Sequence, residues 1–194
     1  MDAICLKAEI RRTVRARRKA LDAGQRSAYS EQIRQGVKGV LDLKCGDCVF
    51  CYLPVGAEVD TNGIITDLWQ RGIEVCVPVV DGDDMKAVRY RKDSVLGIGA
   101  KGAPEPVDGE EVERKSIKAI IAPLVAFDGK GNRLGQGGGY YDRFMTSEAI
   151  AVGVAFSCQE ADFPVEVHDA PLDCVVTECG IRIFNEKYRR KIQR

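Results

Sequence analysis

The sequence has no excess of charge of either sign, no long hydrophobic run, and only one histidine. Lys and Arg together number 29, as do Asp and Glu. A net charge of zero gives no overall field that would attract nucleic acid or an anionic membrane. No apolar stretch approaches the roughly 18 residues of a membrane-spanning helix, and the N-terminus lacks the basic-then-apolar order of a secretory signal. We therefore expect a cytoplasmic monomer that binds neither nucleic acid nor membranes.

Disulfides are not indicated, although the chain has eight cysteines. Cys48, Cys51, Cys76 and Cys174 lie in apolar, strand-like stretches, as buried reduced thiols do. Cys45, Cys48 and Cys51 are spaced as C-x-x-C-x-x-C, which some iron–sulfur ligands share. The fourth cysteine followed by proline that completes the bacterial pattern is missing. We predict reduced cysteines and no cluster.

The hydrophobic periodicity predicts alternating helices and strands. Apolar residues at helical spacing favour a helix over about residues 3–22, ended by Asp22-Ala23-Gly24, and a second over about 27–40. A strand is predicted at 49–54, a helix opening at Thr61 follows it, and the next strand is at 74–80. This order is that of a βαβ unit with parallel strands.

The second half of the chain continues the same fold class after a less regular stretch. Residues 81–115, rich in Gly, Asp and Pro, predict short strands near 85–90 and a loop around 102–106. Buried strands are predicted at 117–123, 150–156 and 174–177. We predict one α/β domain over 1–194, with three layers: an open, mostly parallel, Rossmann-like sheet flanked by helices.

The first helix carries a basic stripe. Lys7, Arg11, Arg15 and Arg18 recur at helical spacing, so positive charge is stacked along one flank. A solvated helix face is the ordinary explanation of such a stripe. A targeting helix or a nucleic-acid contact is disfavoured by the acidic Glu9 among the basic residues and by the lack of interleaved aromatic residues.

Four glycines occupy five positions from 135 to 139, between a buried strand and a predicted helix that starts near Tyr140. Glycine allows backbone N–H groups to approach an anion closely, and a helix N-terminus adds to the attraction for phosphate. Neither G-x-x-x-x-G-K-[ST] nor G-x-G-x-x-G fits, and a flexible turn is the alternative. Asp142 follows this loop by one helical turn, where its carboxylate alone would repel a phosphate. A magnesium ion that bridged the two would remove the repulsion, so the position of Asp142 favours a site for phosphate together with magnesium.

Acidic residues mark two further segments. Glu58 and Asp60 follow the first core strand, where open α/β sheets bind their ligands, although Asp60 or Thr61 could equally cap the next helix. The only histidine, His168, is followed by Asp169 and then by Asp173. These groups could contact a metal, but periodicity does not bring them to Asp142.

Taken together, these motifs resemble the 5-formyltetrahydrofolate cyclo-ligase family, also called 5,10-methenyltetrahydrofolate synthetase, nearly from end to end. The matching segments are Lys7-x-x-x-Arg11, Glu58-Val59-Asp60-Thr61, Gly102-x-x-Glu105-Pro106, the block from Phe127 to Asp142, and His168-Asp169 with Asp173. The resemblance implies that ATP and magnesium drive ring closure of 5-formyltetrahydrofolate to 5,10-methenyltetrahydrofolate, with ADP and phosphate released. The formyl oxygen would be phosphorylated to an iminium phosphate, which the neighbouring ring nitrogen attacks. A folate- or nucleotide-binding paralogue with another substrate is the alternative.

The resemblance also implies roles for individual residues. The catalytic residues would be Lys7, Arg133 and Tyr140, and the metal ligands Asp142 and Asp169. The folate contacts would be Val55, Glu58, Asp60 and Tyr140. The contacts to ATP would be Lys7, Arg11, Arg133, Leu134, Gly135, Gln136, Gly137, Gly138, Gly139, Tyr140 and Tyr141.

One position departs from the family pattern. The family commonly has Lys or Arg at or near the place of Gln136, and the segment Gln136-Gly137-Gly138 carries no charge. We therefore expect phosphate binding to depend more heavily on Lys7, Arg11, Lys130 and Arg133.

Overall fold

The structure, a computed structural model, describes residues 2–99, 102–145, 148–186 and 188. Its helices are α1 (Ala3–Ala20), α2 (Ala23–Val40), α3 (Asn62–Gln70) and the short α4 (Tyr140–Phe144). The strands of the main sheet are β1 (Cys48–Cys51), β2 (Glu74–Asp81), β3 (Asp84–Tyr90), β6 (Ile117–Ala122), β9 (Ile150–Val154), β10 (Cys174–Thr177) and β11 (Gly180–Ile183). Two hairpins lie outside it, formed by β4 (Leu96–Ile98) with β5 (Pro104–Pro106) and by β7 (Ala126–Phe127) with β8 (Arg133–Leu134).

The seven strands follow the order β11-β10-β9-β6-β1-β2-β3. The five internal strands are parallel, and each edge strand is antiparallel to its neighbour. Apolar side chains of α2 and α3 cover one face, and the other carries α4 with the segments around Leu124 and Leu172. The predicted α/β class, with a mostly parallel sheet flanked by helices, is confirmed.

The order of the strands changes direction at β1. The chain moves from β1 through α3 to β2 on one side, whereas β6 lies on the other side of β1. Ligands of open α/β sheets bind outside the carboxyl ends of strands at such a switch point. Segments 52–61 and 123–142, which leave these ends of β1 and β6, contain most of the predicted site residues.

The second helix begins earlier than predicted. Asp22, expected to end the first helix, is the N-cap of α2: its side chain accepts a hydrogen bond from the backbone N–H of Gln25, whose side chain in turn accepts one from the backbone N–H of Asp22. This capping box satisfies amides that a helix start leaves unpaired, so α2 starts at Ala23, with Gly24 in its first turn. The prediction took the glycine as a stop signal.

The cysteines are reduced, as predicted, and all eight are free. Cys48 packs in the core on one face of the sheet and Cys51 in the core on the other, so these two thiols cannot bind a common cluster. The Sγ atoms of Cys48 and Cys76, on neighbouring strands, lie 3.6 Å apart and share a thiol hydrogen bond, with no disulfide between them. Burial raises the pKa of Cys51 and of Cys174 to about 12, which keeps both protonated at neutral pH.

The helices of the described ranges do not include one that combines the length and the apolar character needed to cross a membrane.

Candidate active site

The glycine loop, residues 135–139, joins the β7–β8 hairpin to α4. Gly137 and Gly139 have φ angles of 106° and 67°, in a region that residues with a side chain rarely adopt. Gly139 is also the residue before the first turn of α4. The loop therefore has a backbone conformation that only glycine adopts easily at these two positions.

Arg133 and Asp142 flank this loop and contact each other. The Arg133 side chain, in a residue only 4% exposed, donates from NH2 to Asp142 Oδ1 at 2.5 Å. The backbone N–H of Ala170 donates to the same oxygen at 3.2 Å. The Arg133 guanidinium also lies 5.6 Å from the centre of the Tyr141 ring. Asp142 is thus held between Arg133 of β8 and the segment that follows Asp169.

Helix α1 directs its basic stripe towards the protein. Lys7 and Arg18 are buried, and Arg11 and Arg15 are half-buried, so the stripe is not the solvated face that its pattern ordinarily indicates. Arg11 Nε donates to the carbonyl oxygen of Gly135 at 2.8 Å. The stripe therefore lies against the glycine loop, 124 residues away in the sequence.

Lys7 joins α1 to the segment around Asp169. Its Nζ is 2.6 Å from Glu166 Oε2 and 3.1 Å from Asp169 Oδ2. Burial acts to lower the pKa of Lys7, but the hydrogen bonds and charges of the two carboxylates outweigh it, and the pKa is raised. The ammonium group is therefore fully charged at neutral pH.

Gln136 connects the glycine loop to the loop after β1. Arg15 NH2 donates to Gln136 Oε1, and Gln136 Nε2 donates to Glu58 Oε1 at 3.4 Å. The other oxygen of Glu58 accepts from the backbone N–H of Val55 at 3.1 Å. Arg18 NH1 approaches Glu58 Oε1 to 4.0 Å. Residues predicted to bind ATP and folate thus belong to one network.

Two of the three predicted folate contacts after β1 border a cavity of about 420 Å³ between α2 and the loop before α3, and Val55 is not among its lining residues. Glu58 and Asp60 line it, together with Arg26, Ser30 and Arg34. Asp60 Oδ1 accepts from the backbone N–H and the side-chain amide of Asn62, at 2.9 and 2.8 Å. Asp60 therefore fixes the local turn while facing the cavity.

Thr61 does not cap α3 with its side chain, although it occupies the N-cap position. Its hydroxyl donates to the carbonyl oxygen of Tyr52 at 2.7 Å, and Tyr52 OH donates to the carbonyl oxygen of Val59 at 2.9 Å. These contacts hold the loop that carries Glu58. Tyr140 lies elsewhere in the site: its hydroxyl donates to the carbonyl oxygen of Gly82 at 3.2 Å, and its ring lies 5.2 Å from the Arg143 guanidinium.

The possible metal ligands divide into two groups. Glu166, His168 and Asp169 present ligand atoms within 4.8 Å of one another, whereas Asp142 is paired with Arg133. The hydrogen bond from Ala170 N–H to Asp142 brings the segment of Glu166, His168 and Asp169 next to Asp142. Asp173 has another role, because its carboxylate accepts from Ala151 N–H at 2.7 Å and from Asn185 Nδ2 at 2.5 Å.

Two residues of this site, Glu166 and Arg15, were not identified from the sequence as candidate site residues. Glu166 was not named, although its position two residues before His168 was a signal, because it adds a second carboxylate to the segment of Asp169. Arg15 was noted only as part of the basic stripe, and its contact with Gln136 joins residues 121 positions apart. Periodicity does not reveal a contact of that separation.

Comparison with known proteins gives one family. The sequence pattern described as the 5-formyltetrahydrofolate cyclo-ligase family matches residues 4–178. The 5-formyltetrahydrofolate cyclo-ligase of Escherichia coli K12 is 33% identical over 174 residues, covering 84% of this chain and 96% of that protein. The protein of the same name from Saccharomyces cerevisiae is 31% identical over 203 residues, with 88% and 93% covered.

Solved structures agree with the sequence comparisons. The NMR structure of 5,10-methenyltetrahydrofolate synthetase from Aquifex aeolicus superposes with a TM-score of 0.82 at 35% identity, covering 93% of this chain and 94% of that one. The Mycoplasma pneumoniae 5,10-methenyltetrahydrofolate synthetase superposes with a TM-score of 0.72 at 26% identity, covering 92% and 99%. The similarity therefore extends over sequence and fold together.

Proposed function

Because this chain belongs to the 5-formyltetrahydrofolate cyclo-ligase family, we propose that it converts 5-formyltetrahydrofolate to 5,10-methenyltetrahydrofolate, using ATP and magnesium and releasing ADP and phosphate. The observation that carries the proposal is the contact between Gln136 in the glycine loop and Glu58 in the loop after β1. The contact puts the glycine loop beside Glu58, outside the carboxyl ends of β1 and β6, which supports binding of phosphate by the loop and of the pterin by Glu58. We propose that the enzyme acts in the cytoplasm as a monomer, which its reduced cysteines suit.

The chemistry of the substrates explains the need for ATP. A formamide oxygen is a poor leaving group, so it first attacks the terminal phosphorus of ATP, and ADP leaves. The neighbouring folate nitrogen then attacks the carbon of this iminium phosphate, loses its proton, and phosphate departs with the former formyl oxygen. Phosphoryl transfer of this kind requires positioning and neutralisation of charge more than covalent help from the protein.

The residues around the glycine loop fit a nucleotide. Backbone N–H groups of residues 135–139 supply neutral donors, while Arg11 and Arg133 contribute positive charge. Within the described part, Arg133 Nε and the Tyr141 hydroxyl are buried without a hydrogen-bond partner. Unpaired buried polar atoms are uncommon in proteins, and a site that rearranges around a ligand accounts for them. Lys7 would orient the segment of Asp169 and contribute charge to the phosphates.

The carboxylate of Asp142 fits a magnesium ion, which prefers oxygen ligands. Arg133 and Ala170 N–H hold one carboxylate oxygen of Asp142. We propose that the other oxygen of Asp142, together with Asp169, would hold the ion next to the nucleotide. When bound, magnesium supplies charge neutralisation for the phosphate groups.

On the folate side, we propose that Glu58 and Asp60 accept hydrogen bonds from N–H groups of the pterin. Val55 is 43% exposed beside them and offers an apolar contact. Tyr140 would stack on the folate ring system.

The proposal predicts that absorbance of the methenyl product grows only when ATP, magnesium and 5-formyltetrahydrofolate are all present. Asp142→Asn should lower kcat about 100-fold or more, as loss of an electrostatic contact to a phosphoryl-transfer site does. Asparagine keeps an oxygen that accepts from Arg133 and Ala170, so circular dichroism should show a folded protein at the assay temperature.

The matched control is Asp162→Asn, an exposed acid outside the site. It should retain wild-type turnover. A folded wild-type protein that forms no product would refute the proposed function, and undiminished turnover of Asp142→Asn would refute the role of Asp142.

A further inference from the structure

We infer that Arg15 of α1 is a second arginine, beside Arg11, that binds the nucleotide phosphates at the glycine loop and supplies positive charge that the loop itself lacks. The inference rests on the proposed function and adds a specificity-determining residue to it. It is drawn from where the two guanidinium groups lie, how they are paired, and what they contact.

Arg11 and Arg15 lie one helical turn apart and reach adjacent residues of the glycine loop. Arg11 Nε donates to the carbonyl oxygen of Gly135, and Arg15 NH2 donates to the side-chain oxygen of Gln136. Residues 135–139 contain no ionisable side chain. The guanidinium groups of Arg11 and Arg15 therefore lie at a loop that has backbone donors but no charge of its own.

Pairing distinguishes these two arginines from the other members of the basic stripe. Lys7 has two carboxylate partners, and Arg18 approaches Glu58 to 4.0 Å. Among the described residues, no carboxylate lies within 4.0 Å of the Arg11 or Arg15 guanidinium. The stripe is thus neutralised at its two ends and left positive in the middle, where it meets the glycine loop.

The two guanidinium groups are also close enough to repel each other. Burial and the charge of Arg15 lower the pKa of Arg11, and the charge of Asp169 offsets this only in part. Like charges that are partly removed from water attract an anion strongly, because an anion between them relieves both desolvation and repulsion. The contacts they make at present are to neutral oxygens, which a phosphate oxygen would replace with a stronger charge-assisted hydrogen bond.

A nucleotide phosphate suits this place better than either of the other anionic groups of the substrates, the two glutamate carboxylates of the folate. The backbone at residues 135–139 can direct several N–H groups at one anion, and a polyphosphate offers several charged oxygens to such a loop and to two arginines at once. A single carboxylate has only two oxygens. We therefore assign Arg15 to the nucleotide.

The test measures binding rather than turnover. Titration calorimetry with ATP and magnesium should show that Arg15→Gln raises Kd about tenfold, the effect of one charge-assisted hydrogen bond. Arg12→Gln is the matched control: Arg12 is exposed on the same helix, and its substitution removes the same charge. It should leave Kd within about twofold of wild type. Adenosine, which has no phosphate, should bind equally to all these proteins.

A rescue separates charge at the loop from a structural role of Arg15. The double variant Arg15→Gln/Gln136→Arg returns the cation on the loop itself and should recover most of the lost affinity, as should Arg15→Lys. A purely structural contact between Arg15 and Gln136 would be lost in Gln136→Ala as well as in Arg15→Gln, whereas a loss of charge at the loop would weaken ATP binding only in Arg15→Gln. Thermal unfolding of each variant checks that the loss is not a loss of fold.

The inference is overturned if Arg15→Gln binds ATP as Arg12→Gln does, if the double variant stays as weak as Arg15→Gln, or if wild type does not bind ATP. It is also overturned if Arg15→Gln weakens 5-formyltetrahydrofolate, as a mono- or polyglutamate, and leaves ATP unaffected. A wild-type protein that binds ATP in this pattern yet forms no methenyl product would refute the proposed function while supporting the assignment of Arg15.

Discussion

Gly131, at the level of a single residue, shapes the turn of the β7–β8 hairpin that precedes the glycine loop. Its φ is 88°, and a Cβ atom placed on it would lie 2.7 Å from the ring of Phe184. Asp128 closes the same turn by accepting hydrogen bonds from the backbone N–H groups of Lys130 and Asn132, both at 2.9 Å. Two independent constraints, one on the backbone and one on space, therefore act on the same residue.

Replacing this glycine should be costly. Gly131→Ala should lower the free energy of unfolding by more than about 1 kcal/mol, because alanine disfavours positive φ and its methyl group clashes with Phe184. Gly129→Ala is the matched control: its φ is not in the left-handed region and a Cβ atom there would meet nothing within 4 Å. It should change stability by no more than about 0.5 kcal/mol. Urea unfolding of both variants measures the difference, and equal losses would contradict this account.

Helices α2 and α3 are joined by a small charge network on the exposed side of their contact. Arg34 donates to both oxygens of Glu31, one turn away on α2, and to Asp67 on α3. The hydrogen bond from Arg34 is the main cause that lowers the pKa of Glu31 from 4.5 to about 2. The network therefore depends on pH even though it contains no histidine.

The sign of this dependence follows from the two pKa values. The carboxyl group takes up its proton near pH 4.5 in the unfolded chain but only near pH 2 in the folded one. The stabilisation is therefore complete above about pH 4.5 and is lost as the pH falls towards 2. Melting temperatures of wild type and Glu31→Gln should differ at pH 7 and converge between these values. Glu9→Gln, an exposed acid on α1, should show no such convergence, and parallel curves for Glu31→Gln would contradict the prediction.

Strands that are buried on both faces were predicted correctly from the sequence, whereas exposed or very short strands were not. β6 and β10 are buried on both faces, except at Lys118, and their continuous apolar runs identified them correctly. β11 was not predicted, because all but one of its residues are exposed and its sequence resembles a loop. The two short hairpins were missed for a related reason: strands of two or three residues show no periodicity.

The candidate site is formed by contacts between residues far apart in the sequence, and only some of these contacts could be predicted. The order of motifs indicated which residues act together, and the switch point at β1 explains why segments 52–61 and 123–142 meet. Those segments supply Glu58 and Gln136, which lie 78 positions apart. The pairing of each basic residue of α1 could not be foreseen, because Lys7 contacts acids 159 and 162 positions away. A helix pattern shows which side chains share a face and leaves their partners undetermined.

The centre of the sheet links the stability of the whole molecule to the site. Ile121 in β6 is fully buried and pairs in register with Cys51, the last residue of β1 before the loop that carries Glu58. Ile121→Ala should lower the free energy of unfolding by about 2–4 kcal/mol, through the lost apolar contact and the cavity left behind. Ile98→Ala removes the same atoms from a side chain that is 90% exposed and should cost less than about 0.5 kcal/mol.

Turnover should respond differently from stability in the same pair. Ile121 lies in the core and not at the glycine loop. Folded Ile121→Ala protein should therefore keep, at low temperature, a KM for ATP within about twofold of wild type. On heating, this variant should lose activity at a lower temperature than wild type. Denaturant unfolding together with kinetics at two temperatures tests both statements. Equal stability of the two alanine variants would contradict the central position of β6. A raised KM at low temperature would instead show that packing under β1 positions the loop bearing Glu58 and, through Gln136, the glycine loop.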